Sequence, residues 1–190
     1  KIGSEGWGVY SICLTVVTIS SIIARFGVPT ALVKLNAVSI KNGEPSKVFR
    51  FNTYAIAINV TIGVVLTLVL TYFADIIAGD VFNKPQLARP IGIMAYSIVP
   101  FTLLVTLSRS LRGLNLTFKA TSIEFLGRYL YVIIFVLSNY LLFDKIEIDT
   151  VLFGFLFAST LCCLQGLYWI LKYLKREKIS FKVSFVYSEF

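Results

Sequence analysis

Five stretches of this chain carry no Asp, Glu, Lys or Arg: residues 6–24, 51–74, 90–108, 129–143 and 150–171. A helix needs about 20 predominantly apolar residues to cross a bilayer, with a range of roughly 17 to 25, and every run but 129–143 meets that length unaided. That run does so when its helix begins near Ala120, which draws Glu124 and Arg128 into the span. Hydrophobic residues make up 57% of the chain and charged ones 15%, against about 45–50% and about 25% in soluble domains. So apolar a chain cannot cover itself with polar groups in water. Inside lipid the backbone must satisfy its own polar groups, which leaves helices or a closed barrel, and the runs lack the strict alternation of barrel strands. The expectation is an all-α polytopic membrane protein with five transmembrane helices over about 6–33, 51–74, 90–108, 120–143 and 150–171.

The placement of Lys and Arg orients these helices. Of the 18 such residues, all but Lys1, Lys84, Arg89 and Lys145 fall within 25–50, 109–128 and 172–182, whereas Glu5, Asp75, Asp80, Asp144, Glu147 and Asp149 share the other side. The positive-inside rule puts the basic side in the cytoplasm, so residue 1 lies on the outer side of the membrane and residue 190 inside. The net charge of +8 is then a topology signal and gives no support to nucleic-acid binding. Trp7 and Tyr10 outside, with Tyr168 and Trp169 inside, fit interfacial anchoring. Histidine is absent, no acidic cluster has metal-ligand spacing, and Cys13, Cys162 and Cys163 lie in spans, where a thiol behaves as a small apolar group. Neither a metal nor another cofactor is expected. The chain starts at Lys1 and its one methionine is Met94, which reads as a piece of something longer with a helix ahead of it.

The loops carry a recognisable order. "GSEGWGVYS" (Gly3 to Ser11) precedes the first span, "FGVPTALVK" closes it, "FNKPQL" (Phe82 to Leu87) sits in an outer loop, and "LRGLNLTFKATSIEFLGRYL" (Leu111 to Leu130) joins the fourth expected family helix to the fifth. Together these elements resemble the polysaccharide flippases of the multidrug, oligosaccharidyl-lipid and polysaccharide exporter superfamily. The resemblance covers nearly the whole chain and implies helices two to six of twelve or more, arranged in two bundles around a cavity with alternating access. Residues 1–172 would then be most of the first six-helix bundle. Residues 173–190, basic and interrupted by aromatics, would form an interfacial or linking cytoplasmic segment toward a second bundle. The implied function is flipping of a polyprenyl-pyrophosphate-linked oligosaccharide for surface polysaccharide synthesis, of which O-antigen and lipopolysaccharide are examples. The partners would be that lipid, the surrounding membrane and other glycan-assembly proteins.

Arg25 and Arg128 stand out among the residues that could carry such a function. Arg25 is nine residues before Lys34, so on a straight helix it lies roughly 13 Å deeper. Pro29 lacks an N–H and would leave the Arg25 carbonyl without a donor, with Gly27 allowing the kink. Arg128 is equally far from Lys119, which would put both arginines at a similar depth. In the flippase reading they bind a pyrophosphate, for which guanidinium offers planar, permanent and multidentate charge, while Arg109 and Arg112 recruit it at the cytoplasmic mouth. Plainer roles remain open: Arg25 could snorkel from a helix end, Arg128 could pair with Glu124 one turn earlier, and Arg109 and Arg112 could be topology anchors. Asn52 and Asn59 share a helix face and, with Glu124 and Gln165, are candidates for cavity lining. Helix packing accounts for the two asparagines equally well.

Two other functions compete. A cation-coupled multidrug exporter of the same superfamily wants intramembrane carboxylates, and Glu124 is the sole candidate inside a span. An integral membrane glycan-assembly enzyme would need acid and base groups, for which only Asp144, Glu147 and Asp149 offer themselves, in a short loop without a second acidic partner. A non-enzymatic transporter is the expectation.

Overall fold

The computed structural model describes residues 3–143 and 147–176. All its regular structure is helical: α1 (Ser4–Arg25), α2 (Val28–Lys41), α3 (Pro45–Tyr72), the short α4 (Ala74–Ile76), α5 (Ala88–Ala95), α6 (Ile98–Gly113), α7 (Thr117–Thr121), α8 (Arg128–Phe143) and α9 (Ile148–Arg176). Two π-helical turns, Ile77–Val81 and Ser122–Gly127, and a 3-10 turn, Pro85–Leu87, complete the path. Among the described residues four helical stretches are long and apolar enough to cross a membrane: Gly6–Arg25, Pro45–Tyr72, Thr117–Leu142 and Ile148–Arg176. The pair Pro85–Ala95 and Ile98–Gly113 makes a fifth, bent by 47°. Its break has a local cause. Pro100 lies in the first turn of α6 and has no N–H to offer the carbonyl of Tyr96, and at the same break Ser97 N–H closes a tighter bond to Met94 O at 2.9 Å. The expected segment over 173–190 lies outside the described residues from position 177 onward.

The first expected span, 6–33, is corrected. The helix does not run on through Gly27 but stops at Arg25, because Phe26 and Gly27 both take left-handed backbone conformations, with φ of 38° and 76°. A new helix begins at Val28, and Pro29 falls in its first turn, where a missing N–H leaves no carbonyl stranded. The feature is thus a helix break, and the depth of roughly 13 Å argued for Arg25 along a straight helix has no basis. Gly27→Ala is expected to cost about 1 kcal/mol, the usual penalty for a Cβ in that conformation. Thermal unfolding in detergent measures it.

α6 is the hub. It packs against α1, α2, α3, α7 and α9, and nearly every side chain from Phe101 to Gly113 is buried. Its polar residues are shared with its neighbours rather than shown to lipid. Thr102 donates to Ser21 of α1 at 3.2 Å, Asn59 of α3 donates to Thr106 at 2.6 Å, and Asn36 of α2 donates to Ser110 at 2.9 Å while accepting from Asn52 at 3.5 Å. Small residues set the spacing: a Cβ on Gly166 would stand 3.2 Å from Leu107 Cβ, and one on Gly113 only 2.8 Å from the backbone oxygen of Val33. Small side chains and hydrogen bonds are what join helices when lipid removes the hydrophobic drive. Asn36→Ala should therefore lower stability by about 1 kcal/mol in a denaturant titration, the usual size of an interhelical hydrogen bond in a bilayer protein.

Candidate functional site

Two arginine sites, at different levels, occupy this bundle. The first lies at its basic end, where the last two turns of α6 meet the π-helical turn after α7. Arg112 donates to Glu124 Oε2 at 2.6 Å, Ser108 donates to the same oxygen at 2.7 Å, and Arg109 reaches Oε1 at 3.9 Å. The Glu124 side chain is 12% exposed, against 28% for Arg112 and 42% for Arg109. Arg25 folds back along its own helix, its Nε donating to Ser21 O at 2.9 Å, and makes no ion pair with Glu124 among the described residues. Two guanidinium groups thus share one carboxylate, a local excess of positive charge. Arg112 also keeps a buried Nε that has no partner among the described residues.

The π-helical turn explains the position of Glu124. Its wider winding puts Ile123 and Glu124 toward α6, with Ile123 fully buried, and leaves Phe125 and Leu126 outside. Such turns recur where a helix serves a function. The expected Glu124–Arg128 pair is accordingly not formed. The carboxylate is taken by α6, where two arginines and a hydroxyl outbid a single neighbour on its own helix.

Arg128 defines the second level. Its guanidinium carbon lies 5.2 Å from the ring centre of Phe101, 5.0 Å from that of Tyr129 and 5.9 Å from that of Phe155, and its Nη2 donates to the Tyr129 hydroxyl at 3.2 Å. No carboxylate among the described residues pairs with it. Phe101 stands roughly 18 Å along α6 from Gly113 at the basic end, and Phe155 roughly 10 Å along α9 from Ile148 at the opposite end. A hydrocarbon core is about 30 Å thick, so the charge sits well inside it. The two arginines keep different partners: Arg25 bonds back to Ser21, whose hydroxyl meets Thr102 beside Phe101, while Arg128 stands among rings. Each cation–π contact contributes about 0.5–2 kcal/mol, against at least about 2.5–3.5 kcal/mol for an arginine in hydrocarbon. The cage holds the charge there without neutralising it.

The remaining candidates take structural places. Asn52 and Asn59 are 4% and 0% exposed and lie in helix seams, not on an open wall. Gln165 accepts from Tyr131 at 3.4 Å and ties α9 to α8. Asp149 pairs with Arg89 at 2.7 Å at the far end, and Asp144 lies outside the described residues. Among the described residues no group of His, Cys, Asp and Glu could hold a metal ion. Sequence reasoning did not find Phe101, Phe155 and Ser108. The first two sit on separate helices, and nothing in the local pattern around either marks it as facing a cation.

Comparison with known proteins adds the family. The family model described as polysaccharide biosynthesis protein matches residues 1–188. The chain belongs to that family. As a multi-pass member of it, the protein is also similar to the stage V sporulation protein B of Bacillus subtilis (strain 168), at 24% identity over 112 residues, or 59% of this chain. The chain spans only 21% of the length of that relative. No solved structure matches it.

Proposed function

We propose that this chain is most of the first helix bundle of a membrane flippase that moves a lipid-linked oligosaccharide with an anionic, polyprenyl-pyrophosphate headgroup across the plasma membrane. The observation that carries the reading is Arg128: a guanidinium with no carboxylate partner among the described residues, set among three rings well inside a membrane-spanning bundle of a polysaccharide biosynthesis protein. A permanent charge at that depth wants an anion that comes and goes, and a pyrophosphate supplies paired acceptor oxygens for a guanidinium fork. The arginine-rich end, read as cytoplasmic, is where such a headgroup would first arrive. From there it would pass to Arg128 while its glycan stays in the cavity and its tail in lipid. The protein would do no covalent chemistry. The substrate is the lipid-linked glycan, of the kind used for O-antigen and lipopolysaccharide, and the partners are that lipid, bulk lipid and other glycan-assembly proteins.

The exporter of cations is the poorer reading because Glu124, which it would need as a free acid, is already engaged by Arg112, Ser108 and Arg109. The test uses the whole protein in proteoliposomes and follows reorientation of a fluorescent oligosaccharide on polyprenyl pyrophosphate or on uncharged polyprenol. Movement of the charged form alone is expected, and equal movement of both would overturn the reading. In the same assay Arg25→Gln should slow transport about tenfold, the loss of one charge-assisted hydrogen bond.

A further inference from the structure

Glu124 has no evident reason to be where it is if the basic end only collects anions, since it cancels part of the charge that would attract them. Resting on the headgroup reading above, we propose that Glu124 is a built-in competitor that sets a charge threshold, keeping monoanionic bulk phospholipids off the arginines while yielding to a pyrophosphate. The geometry is that of an occupied anion site. One carboxylate accepts from Arg112 at 2.6 Å and Ser108 at 2.7 Å, with Arg109 at 3.9 Å on its other oxygen. Those are the donors an incoming phosphate oxygen would take.

The threshold follows from charge and concentration. Arg109 is 42% exposed at the end of a membrane bundle, where anionic lipid headgroups are abundant and a bare arginine cluster would fill with them. Glu124 is tethered and largely buried, so its effective concentration exceeds that of any lipid. A phosphodiester brings one negative charge and gains nothing by replacing one carboxylate with another singly charged acceptor. A pyrophosphate brings at least two and spreads more acceptor oxygens over Arg109 and Arg112, including the Nε of Arg112 that lacks a partner among the described residues. Rejection of the near competitor is thus achieved by an internal rival and not by a tighter pocket.

The test is binding of farnesyl diphosphate to the full chain in nanodiscs of phosphatidylcholine, without and with added phosphatidylglycerol. Wild type should bind it with an affinity that changes less than about threefold on adding the anionic lipid. Glu124→Gln should bind about tenfold tighter in phosphatidylcholine, having lost its rival, and lose at least that gain when phosphatidylglycerol is present. Glu124→Asp keeps every donor but draws the rival carboxylate back by one methylene and should move in the same direction by a smaller factor, so the question stays answerable if Glu124→Gln does not fold. Variants that bind the diphosphate yet ignore phosphatidylglycerol as wild type does would overturn the threshold and leave the headgroup reading intact. Absence of diphosphate binding by folded wild type in either lipid would sink that reading, and the threshold with it.

Discussion

Arg128→Gln is expected to lower transport of the pyrophosphate-linked oligosaccharide at least about a hundredfold while the protein still inserts and folds. Glutamine keeps much of the volume and the polarity but loses the charge and the forked donors. Two charge-assisted hydrogen bonds at about 1.5–3 kcal/mol each amount to a hundredfold or more at 1.4 kcal/mol per decade. Stability should not fall and should rise slightly, because an uncompensated charge leaves the hydrocarbon level of the bundle. That opposite movement of stability and transport separates a functional from a structural role. Arg128→Lys should recover little, since an ammonium lacks both the planar stacking on Phe101 and Phe155 and the bidentate fork. Full activity of the lysine variant would reduce Arg128 to a plain positive charge. The assay is headgroup reorientation in proteoliposomes, with thermal unfolding of the same preparations.

Gly113→Val has the largest expected effect on the fold. The first side-chain carbon at this position would stand 2.8 Å from the Val33 carbonyl oxygen and 3.1 Å from Val33 Cα. Both are backbone atoms, and neither can rotate away. α2 must therefore move off α6, taking Asn36 from Ser110 and Asn52 with it. Overpacking of about 1–3 kcal/mol and about 1 kcal/mol from the lost interhelical bonds give a destabilisation of about 2–4 kcal/mol. Reduced accumulation in the membrane and a lower unfolding temperature are the readouts. Gly113→Ala should show the same defect more mildly, and an alanine variant as stable as wild type would mean the α2–α6 seam has slack that the contact distances deny.

The spans were legible because a bilayer reduces the problem to length and charge. The uncharged runs 51–74 and 150–171 sit inside the helices Pro45–Tyr72 and Ile148–Arg176 to within two residues, and the extension of 129–143 back toward Ala120 matches Thr117–Leu142. What could not be read is how a helix ends when the residue that ends it is ordinary. Gly27 announced a bend, but nothing marks Phe26 as left-handed, and that second residue is what converts a kink into a break.

The site was half legible for a related reason. A charge in an apolar run is visible in one dimension, so Arg25, Arg109, Arg112, Glu124 and Arg128 could all be named. Their partners are not visible. Spacing offered Glu124 to Arg128, but a π-helical turn and the approach of α6 gave it to Arg112 instead, and rings from α6 and α9 surround Arg128. Asn52 and Asn59 show the same limit: a polar face signals contact with something other than lipid, and only packing reveals that the something is α2 and α6.

The most direct measurement of the central claim is a contact between phosphorus and the Arg128 guanidinium. Solid-state dipolar recoupling on nitrogen-labelled arginine in the whole protein, with polyprenyl-pyrophosphate oligosaccharide bound, reports which guanidinium groups lie beside the headgroup. A dephased signal present in wild type and absent in Arg128→Gln is the expected result. Dephasing that is unchanged by the substitution, or confined to arginines of the basic end, would contradict it.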